Sequence, residues 1–546
     1  MTAWASGDIS AKTNPNFKTE RISPHNRVRI RARQIYQNSQ FIMDNYFFYV
    51  NNYTPTSRAV DLYQSKNHLL KDMMDAMRKG GKHYVACNSK SEAENIAEMS
   101  RVDTGLRVMC ITSANSQDPE IKDFINNIVE RIRDYDVLVA SPSLGTGIDI
   151  TFPDQEQWID YVWGIFSDKI NTHFDMDQQL CRVRHPKHVK AWVAESSLQY
   201  ETEPSAIKRV VVDLDELPEA IRAYGPYGMP VIDDDDPLLH VYAHAVSMQN
   251  ASKNDLRGNF IKLKERNGWE VKHIAPPKPG RGSSDGAGSN IGMQAAEARK
   301  RLEEMHAADV CDAEPLTEEE YQALNDAMML TSDEQLRRDR YAIEKFYGRE
   351  ITPELVLMDN HGRYRTQITA MCELLESETV ALVRTYANAK AHALDKDMAA
   401  RRQATLKDVL MASCIYDGKR TFDTSHRMHK DNMRGFVDCC LNYRAQIAHL
   451  FDMALRRDIE EKPLAQFKEF LNLIGLDTVA DGKSDAGGKR THFYRLDSDL
   501  LERTMGFAKY RLKTRNRPSV YSYVGTPYLL NPDGEKVYLT EPTFEE

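Results

Sequence analysis

Features that would place this chain in a membrane or in an oxidising compartment are missing from its 546 residues. No apolar run approaches the roughly 20 residues that a membrane-spanning helix needs, and the N-terminus has no secretory signal pattern. The eight cysteines are scattered without CxxC spacing, so they predict neither a disulfide framework nor a zinc site. We therefore expect a cytoplasmic protein with reduced thiols and no structural metal.

A uniformly basic surface is also missing, because 72 basic residues are outnumbered by 81 acidic ones and the net charge is -9. Any contact with nucleic acid must therefore come from local basic patches. The hydrophobic fraction of 41% is enough for real cores. A chain of this length fits about three or four domains.

Between residues 66 and 205, short apolar runs alternate with helical patterns. The predicted strands are KHYVAC, RVMCIT, DVLVAS, YVWGIF and VKAWVAE. SEAENIAEMS is predicted to form a helix opened by a capping box of Ser91 and Glu94, and Pro119 to take the first position of another helix. This alternation predicts an α/β domain with a parallel sheet and helices on both faces.

Changes of composition suggest the other boundaries. The predicted segments are a partly irregular N-terminal extension (1–65), a mixed helical region (206–275), a flexible Pro/Gly/Ser linker (276–292), a helical domain (293–454), a winged-helix-like module (455–520) and a tail (521–546). The second half of the chain is thus predicted to be mostly α-helical.

The loop after the third predicted strand, SPSLGTGIDI at 141–150, has the composition of a ligand-binding loop. Gly145 and Gly147 free the backbone to approach a ligand closely, and Asp149 follows directly. Loops at the carboxyl ends of parallel strands are where such sheets bind ligands.

About 30 residues later, QQLCRVRHP at 178–186 places two arginines four and six residues after a glutamine. The spacing puts Gln178 and at least one guanidinium, of Arg182 or Arg184, near one face of a short helix. Most such clusters are only a solvated helical face, so the rest of the chain has to decide. We expect this segment, the 141–150 loop and the NSKS turn at 88–91 to share the carboxyl edge of the sheet, where the helix that NSKS opens can hold a phosphate.

These stretches resemble a known family. VLVASPSLGTGIDI is similar to motif V of superfamily 2 helicases, QQLCRVR to their motif VI, and KHYVACNSKSEAENIA to their motif IV. The order and spacing resemble the second RecA-like lobe of the herpesvirus origin-binding helicase. They resemble still more the replication proteins of phages and cyanobacterial-type plasmids, as does DLRGNFIKLKERNGWEV further on. The resemblance covers roughly residues 40 to 350.

The resemblance implies roles for single residues in a nucleotide site. Gly147 and Asp149 would lie against the nucleotide, with Asp149 near the ribose, while Gln178 orients the γ-phosphate. Arg182 and Arg184 would face that phosphate, and a positioned arginine finger accelerates phosphoryl transfer roughly 1,000- to 100,000-fold. We favour Arg184 as the finger, although the sequence does not settle the order. The predicted cofactor-binding residues are Gly145, Gly147 and Asp149, and the predicted catalytic residues are Gln178, Arg182 and Arg184. Cys181 stands where the family usually has glycine, which puts the close approach of this helix in doubt.

DNA contacts are predicted in two places. The resemblance implies that Ser141 contacts a DNA phosphate, and residues 455–520 resemble a winged helix. Residues 489–517 contain nine basic and three acidic residues, which suits phosphate binding, although a solvated basic tail has the same composition. The predicted DNA-contacting residues are Ser89, Lys90, Ser141, Lys489, Arg490, Lys509, Arg511, Lys513 and Arg515.

Two elements of a complete helicase are not found in the sequence. It contains no GxxxxGK[ST] phosphate loop, and no strand ending in Asp-Glu where the family has one. We therefore expect weak or no ATP hydrolysis by this chain alone, and ATP with Mg²⁺ as cofactors only if a separate chain supplies the first lobe. A truncated DNA-binding remnant and a regulator built from half a helicase fit the sequence as well.

The leading prediction is a replication-initiation helicase component of a phage or plasmid that binds DNA and contributes the arginine face of an ATP site. The alternative is a non-enzymatic DNA-binding initiator or accessory protein. An RNA-directed motor is a third reading, because this lobe would contact mainly the nucleic-acid backbone.

Overall fold

The computed structural model describes residues 58–144, 148–168, 170–213, 221–224, 230–232, 237–276, 286–327, 329–377, 381, 399–484, 491–514, 528–530 and 536–538. They form two compact units. The first contains the described residues of Phe48–Ser196 and Asp255–His361, and the second those of Ser197–Asn254 and Gly362–Glu546.

The first part of the first unit alternates strands and helices along the chain. Its strands are β1 (Arg58–Tyr63), β2 (His83–Cys87), β3 (Val108–Ile111), β4 (Val137–Ala140), β5 (Tyr161–Phe166) and β6 (His188–Val193). Its helices are α1 (Lys66–Arg78), α2 (Lys90–Thr104), α3 (Pro119–Asn126), α4 (Ile128–Arg131) and α5 (His173–Leu180).

The elements that follow belong to the two units in turn. The second unit has β7 (Leu198–Gln199), α6 (Pro204–Asp213), β8 (Ile221–Tyr224), β9 (Pro230–Ile232) and α7 (Pro237–Asn254). The first unit continues with α8 (Leu256–Arg266), β10 (Trp269–Ile274), α9 (Gly286–Asp312), α10 (Glu318–Asp326), α11 (Ser332–Tyr347) and α12 (Pro353–Asp359). The second unit ends with α13 (Arg363–Leu375), α14 (Ala399–Ala412), α15 (Arg434–Asn442), α16 (Arg444–Phe451), β11 (Leu455–Arg456), α17 (Pro463–Leu473), β12 (Thr478–Ser484), β13 (Thr491–Leu496), α18 (Ser498–Thr514), β14 (Tyr528–Leu530) and β15 (Lys536–Tyr538).

A seven-stranded sheet organises the first unit. Its strand order is β10-β1-β6-β5-β2-β4-β3, and every neighbouring pair is parallel. The interior strands β2 and β4 are buried at every residue, as expected for a parallel sheet covered on both faces. The α/β prediction and all five predicted strands are confirmed.

Two hydrophobic cores lie on opposite faces of this sheet. One face of β2 presents Tyr84 and Ala86 to a core that includes residues of α3, α5 and α8. The other face presents Val85 and Cys87 to a core that includes residues of α1, α2 and α9. Period-two alternation of β2 thus divides its side chains between two separately packed layers.

In the seven-stranded sheet of the first unit, two strands lie where the sequence predicted none, and a helix of this unit begins inside the predicted linker. β1 falls within the segment predicted to be a partly irregular extension, and β10 within the mixed helical region. Neither shows a long apolar run, because β1 alternates buried and polar residues and β10 is an edge strand. Helix α9 begins at Gly286, inside the predicted linker, and Ile291 is buried in the core.

The start of α2 corrects the predicted capping box. The N-cap is Ser89, whose side chain accepts a hydrogen bond from the Glu92 amide at 3.4 Å. Ser91 lies inside the helix, and the Glu94 carboxylate accepts from the Thr112 hydroxyl at 3.1 Å instead of capping. The prediction for Pro119 is confirmed, since it occupies the first turn of α3.

The second unit is mostly helical. Between its last two helices, α17 and α18, the strands β12 and β13 form an antiparallel hairpin. Residues 485–490 of the predicted glycine-rich wing lie outside the described residues, so the winged helix stays a prediction. Within the described part of the chain, no helix combines the length and apolar character that crossing a membrane requires.

The corrected cap yields a test with a matched control. Ser89→Ala should speed hydrogen exchange in the first turn of α2 by about fivefold, because losing an N-cap serine costs about 1 kcal/mol. Ser91→Ala, two residues away, should change exchange by less than about twofold. Hydrogen exchange read by mass spectrometry compares the two, and equal effects would contradict the assignment of Ser89 as the cap.

Candidate functional site

A short parallel bridge joins the two predicted site segments. Ile150 pairs with Val183, the Ile150 amide donates to the Arg182 carbonyl at 2.9 Å, and the Arg184 amide donates to the Ile150 carbonyl at 3.2 Å. Ile150 and Val183 are buried in the core on one face of the sheet. The end of the 141–150 loop and the arginines are thus held side by side by backbone hydrogen bonds.

This bridge places Arg184 against Asp149. The Arg184 Nε donates to the Asp149 Oδ2 at 3.0 Å, and the two side chains are 44% and 45% exposed. An ion pair with this exposure contributes little to stability, since water screens it. The guanidinium therefore lies at the surface, oriented by a carboxylate and open to a ligand.

Arg182 lies in a different environment, with only 5% of its surface exposed. Its guanidinium interacts electrostatically with the hydroxyl of Tyr84, a buried residue of β2. Burial raises the pKa of Tyr84, and the positive charge of Arg182 partly opposes that rise. The structure thus separates the two arginines into one surface group and one buried group.

Helix α5, which carries Gln178, has a well-defined start and a close approach to the sheet. Thr172 caps it in a capping box with Asp175, whose carboxylate accepts from the Thr172 amide at 2.9 Å. At Gly164 of β5, an added Cβ would lie 2.8 Å from the Leu180 Cδ1. The glycine that allows this helix to pack closely is therefore in the strand beneath it.

Cys181 does not need to be glycine in this fold. It ends α5 with φ -92°, an ordinary conformation for any residue. Its sulfur lies 3.4 Å from the Nζ of Lys264, a lysine of α8 that also forms a 2.6 Å ion pair with Asp177. Lys264 could not be recognised from the sequence, because one lysine in a basic amphipathic helix looks like a surface residue.

The expectation that all the site segments share the carboxyl edge of the sheet is wrong. Arg184 lies between the end of α5 and the start of β6, and its carbonyl accepts from the Nη2 of Arg58, the first residue of β1, at 2.8 Å. Parallel strands all begin at the same edge, so the arginines lie toward the amino edge. The helix that connects two parallel strands, here α5, runs antiparallel to them. It therefore carries the chain from the carboxyl edge of the sheet back to the amino edge, about 15 Å away.

The carboxyl edge holds several predicted DNA-contacting residues. Ser89 and the exposed Lys90 begin α2. Ser141 is only 2% exposed, and its hydroxyl accepts from the Ser143 amide at 3.3 Å. A phosphate contact by Ser141 would therefore require a local rearrangement, whereas Ser89 is half-buried and Lys90 is exposed.

Asn88 is a residue of this edge whose role the sequence did not reveal. Its side-chain amide donates to the Ser167 carbonyl at 2.7 Å, and its Oδ1 accepts from the Ser167 amide at 2.9 Å. These two bonds join the chain just after β2 to the chain just after β5. Asn88, which is 2% exposed, thus holds the ends of β2 and β5 together at the carboxyl edge.

Other predicted residues lie on α18 or outside the described residues. Lys509 and Lys513 are exposed on α18 and four residues apart, so they share one face, while Arg511 is half-buried. The predicted residues outside the described residues are Gly145, Gly147, Lys489, Arg490 and Arg515. In the part of the chain that the structure covers, no three His, Cys, Asp or Glu side chains cluster as metal ligands.

Comparison with known proteins does not extend the resemblance. No family model matches this chain, and no curated protein matches it significantly. The likeness to superfamily 2 helicases therefore remains a prediction from sequence motifs.

The contrast between the two arginines is testable by thermal unfolding. Arg182→Ala should destabilise the first unit by about 2 kcal/mol or more, because it removes a buried charged group from its polar surroundings. Arg184→Ala should cost at most about 1 kcal/mol, since its ion pair is exposed. Similar losses of melting temperature in both variants would show that the burial of Arg182 is misassigned.

Proposed function

We propose that this protein is a DNA-binding replication component that supplies an arginine face to an ATP site completed by a second chain. The observation that carries the proposal is the surface ion pair of Arg184 and Asp149, held by the Ile150–Val183 bridge. It unites the two stretches that resemble motifs V and VI.

The residues suit such a shared site. A surface guanidinium is the group that stabilises negative charge on a transferring phosphoryl group. Asp149 beside it keeps the arginine oriented until a phosphate competes for it. On this proposal Arg184 contacts the terminal phosphate of ATP, and the partner chain supplies the phosphate loop and the acidic ligands of Mg²⁺.

The separation of the predicted groups suits the proposal too. Ser89 and Lys90 lie at the carboxyl edge, whereas Arg184 lies toward the amino edge. A protein that holds DNA and a nucleotide at once needs two separate surfaces. In the second unit, Lys509 and Lys513 on α18 supply a further basic face.

A second candidate function is favoured by one observation. Arg182 is buried beside Tyr84, so one guanidinium rather than two is available at the surface. A non-enzymatic DNA-binding initiator needs Arg182 only as a structural residue and would not need a nucleotide.

Mixing experiments separate the two functions. Adding a separate chain that carries the phosphate loop should raise ATP hydrolysis above that of either chain alone. Arg184→Ala should remove that gain, because an arginine finger contributes roughly 1,000-fold or more. Phosphate release at saturating ATP measures the effect.

A matched control is Arg131→Ala, which removes another exposed, ion-paired arginine of the same unit, 53% exposed beside Asp123. It should leave the gain unchanged. If no phosphate-loop chain produces a gain, the non-enzymatic function is favoured. If Arg131→Ala abolishes the gain equally, Arg184 is not the specific arginine of the ATP site.

DNA binding through α18 predicts a defined salt dependence. Replacing both Lys509 and Lys513 with Gln should weaken binding to any DNA sequence and lower the slope of log affinity against log salt by about two, because each phosphate contact contributes about one. Fluorescence anisotropy of a labelled duplex across a salt series measures the slope.

The control for that experiment is Lys462→Gln, an exposed lysine of the same unit that is already paired with Asp458 at 3.0 Å. Its slope should match that of the unmodified protein. An unchanged slope in the double variant would rule out α18 as the phosphate-binding face.

A further inference from the structure

Lys264 is a fully buried lysine, with 0% of its side chain exposed. Its Nζ lies 2.6 Å from the Asp177 Oδ1, 3.4 Å from the Cys181 Sγ and 3.7 Å from the centre of the Trp269 ring. Lysine is rarely buried without a partner, because removing an ammonium from water is costly. The contacts around Lys264 are therefore specific ones.

The ammonium of Lys264 is held in its charged form. Burial lowers the pKa of Lys264, but the Asp177 carboxylate and the Cys181 sulfur raise it by more, so the pKa lies above its ordinary value. The aromatic ring of Trp269 adds a favourable cation–π contact. A permanent positive charge thus lies beneath the last turn of α5.

The same tryptophan connects this charge to the other end of the arginine segment (residues 181–184). Arg58 lies against the Trp269 ring, 5.6 Å from its centre, and donates to the Arg184 carbonyl at 2.8 Å. Lys264 therefore holds the start of the segment through Asp177 and Cys181. Arg58 holds its end, and Trp269 contacts both cations.

We propose that Lys264 is a positioning residue for the candidate site: it holds the end of α5 and, with Trp269 and Arg58, fixes the arginine segment so that Arg184 meets Asp149. This inference rests on the proposed function only for its consequence in catalysis. Its structural part concerns residues 173–187 and requires neither ATP nor DNA.

The proposal explains the cysteine at position 181. A glycine there would leave the Lys264 ammonium without its sulfur neighbour, whereas the thiol fills the space between α5 and α8 and accepts a weak hydrogen bond. The segment that resembles plasmid replication proteins, which contains α8 and the first half of β10, thereby acts as the frame for the arginine segment.

Hydrogen exchange of the full-length protein without ligand tests the structural part. Lys264→Met should raise exchange in residues 173–187 by about tenfold or more, because Asp177 loses its buried partner. Asp177→Asn should do the same from the other side of the pair. Lys262→Met, an exposed lysine two residues away on α8, is the matched control and should change nothing there.

The readout is the difference between regions. Exchange in α1 should stay unchanged in all three variants, since a general loss of stability would raise it as well. The positioning role would be overturned if exchange rose equally in α1 and in residues 173–187. It would also be overturned if exchange in residues 173–187 did not change in Lys264→Met and Asp177→Asn. If Lys264→Met does not fold, Asp177→Asn alone decides between these outcomes.

The catalytic consequence is measured separately. If the phosphate-loop chain produces ATP hydrolysis, Lys264→Met should lower the maximal rate at least about tenfold with DNA affinity unchanged. Lost protection in residues 173–187 without any ATP hydrolysis on mixing would leave the positioning role intact and refute the proposed function. If residues 173–187 stay protected in Lys264→Met and mixing gives normal ATP hydrolysis, the positioning role is refuted and the proposed function is left intact.

Discussion

Two backbone hydrogen bonds around the Ile150–Val183 pair determine the geometry of the candidate site. Backbone bonds fix position independently of the side chains, so Asp149 and Arg184 are brought together before their charges act. The buried side chains of Ile150 and Val183 exclude water from the bridge. The exposed ion pair then adjusts the direction of the guanidinium rather than holding the loops together.

The parallel sheet places Ser89 and Lys90 at one edge and Arg184 toward the other. Its strands begin at one edge and end at the other, so residues that follow a strand and residues that precede one lie a strand length apart. Ser89 and Lys90 fall in the first class and Arg184 in the second. The predicted DNA contacts Ser89 and Lys90 therefore lie at a different end of the first unit from Arg184, the predicted nucleotide contact.

The residues around the arginine segment show how a buried charge can define a surface group. Lys264 is buried. Its ion pair with Asp177 holds the start of the arginine segment, and its contact with Trp269 connects it to the end of that segment. Arg182, buried beside Tyr84, adds a second fixed point. One exposed arginine is thus accompanied by two buried cations, Lys264 beside Asp177 and Arg182 beside Tyr84.

The sequence by itself determined the alternation of strands and helices, and with it the parallel sheet, because apolar runs bounded by caps and glycines are local signals. It also singled out Asp149, Arg182 and Arg184 as site residues, but not the ion pair of Asp149 with Arg184. It did not reveal β1, β10 or Lys264, and it assigned Arg184 to the wrong edge. Only the tertiary structure decided these points, since edge-strand pairing, the direction of a crossover helix and the burial of one lysine depend on contacts between residues far apart in the chain, which no local pattern records.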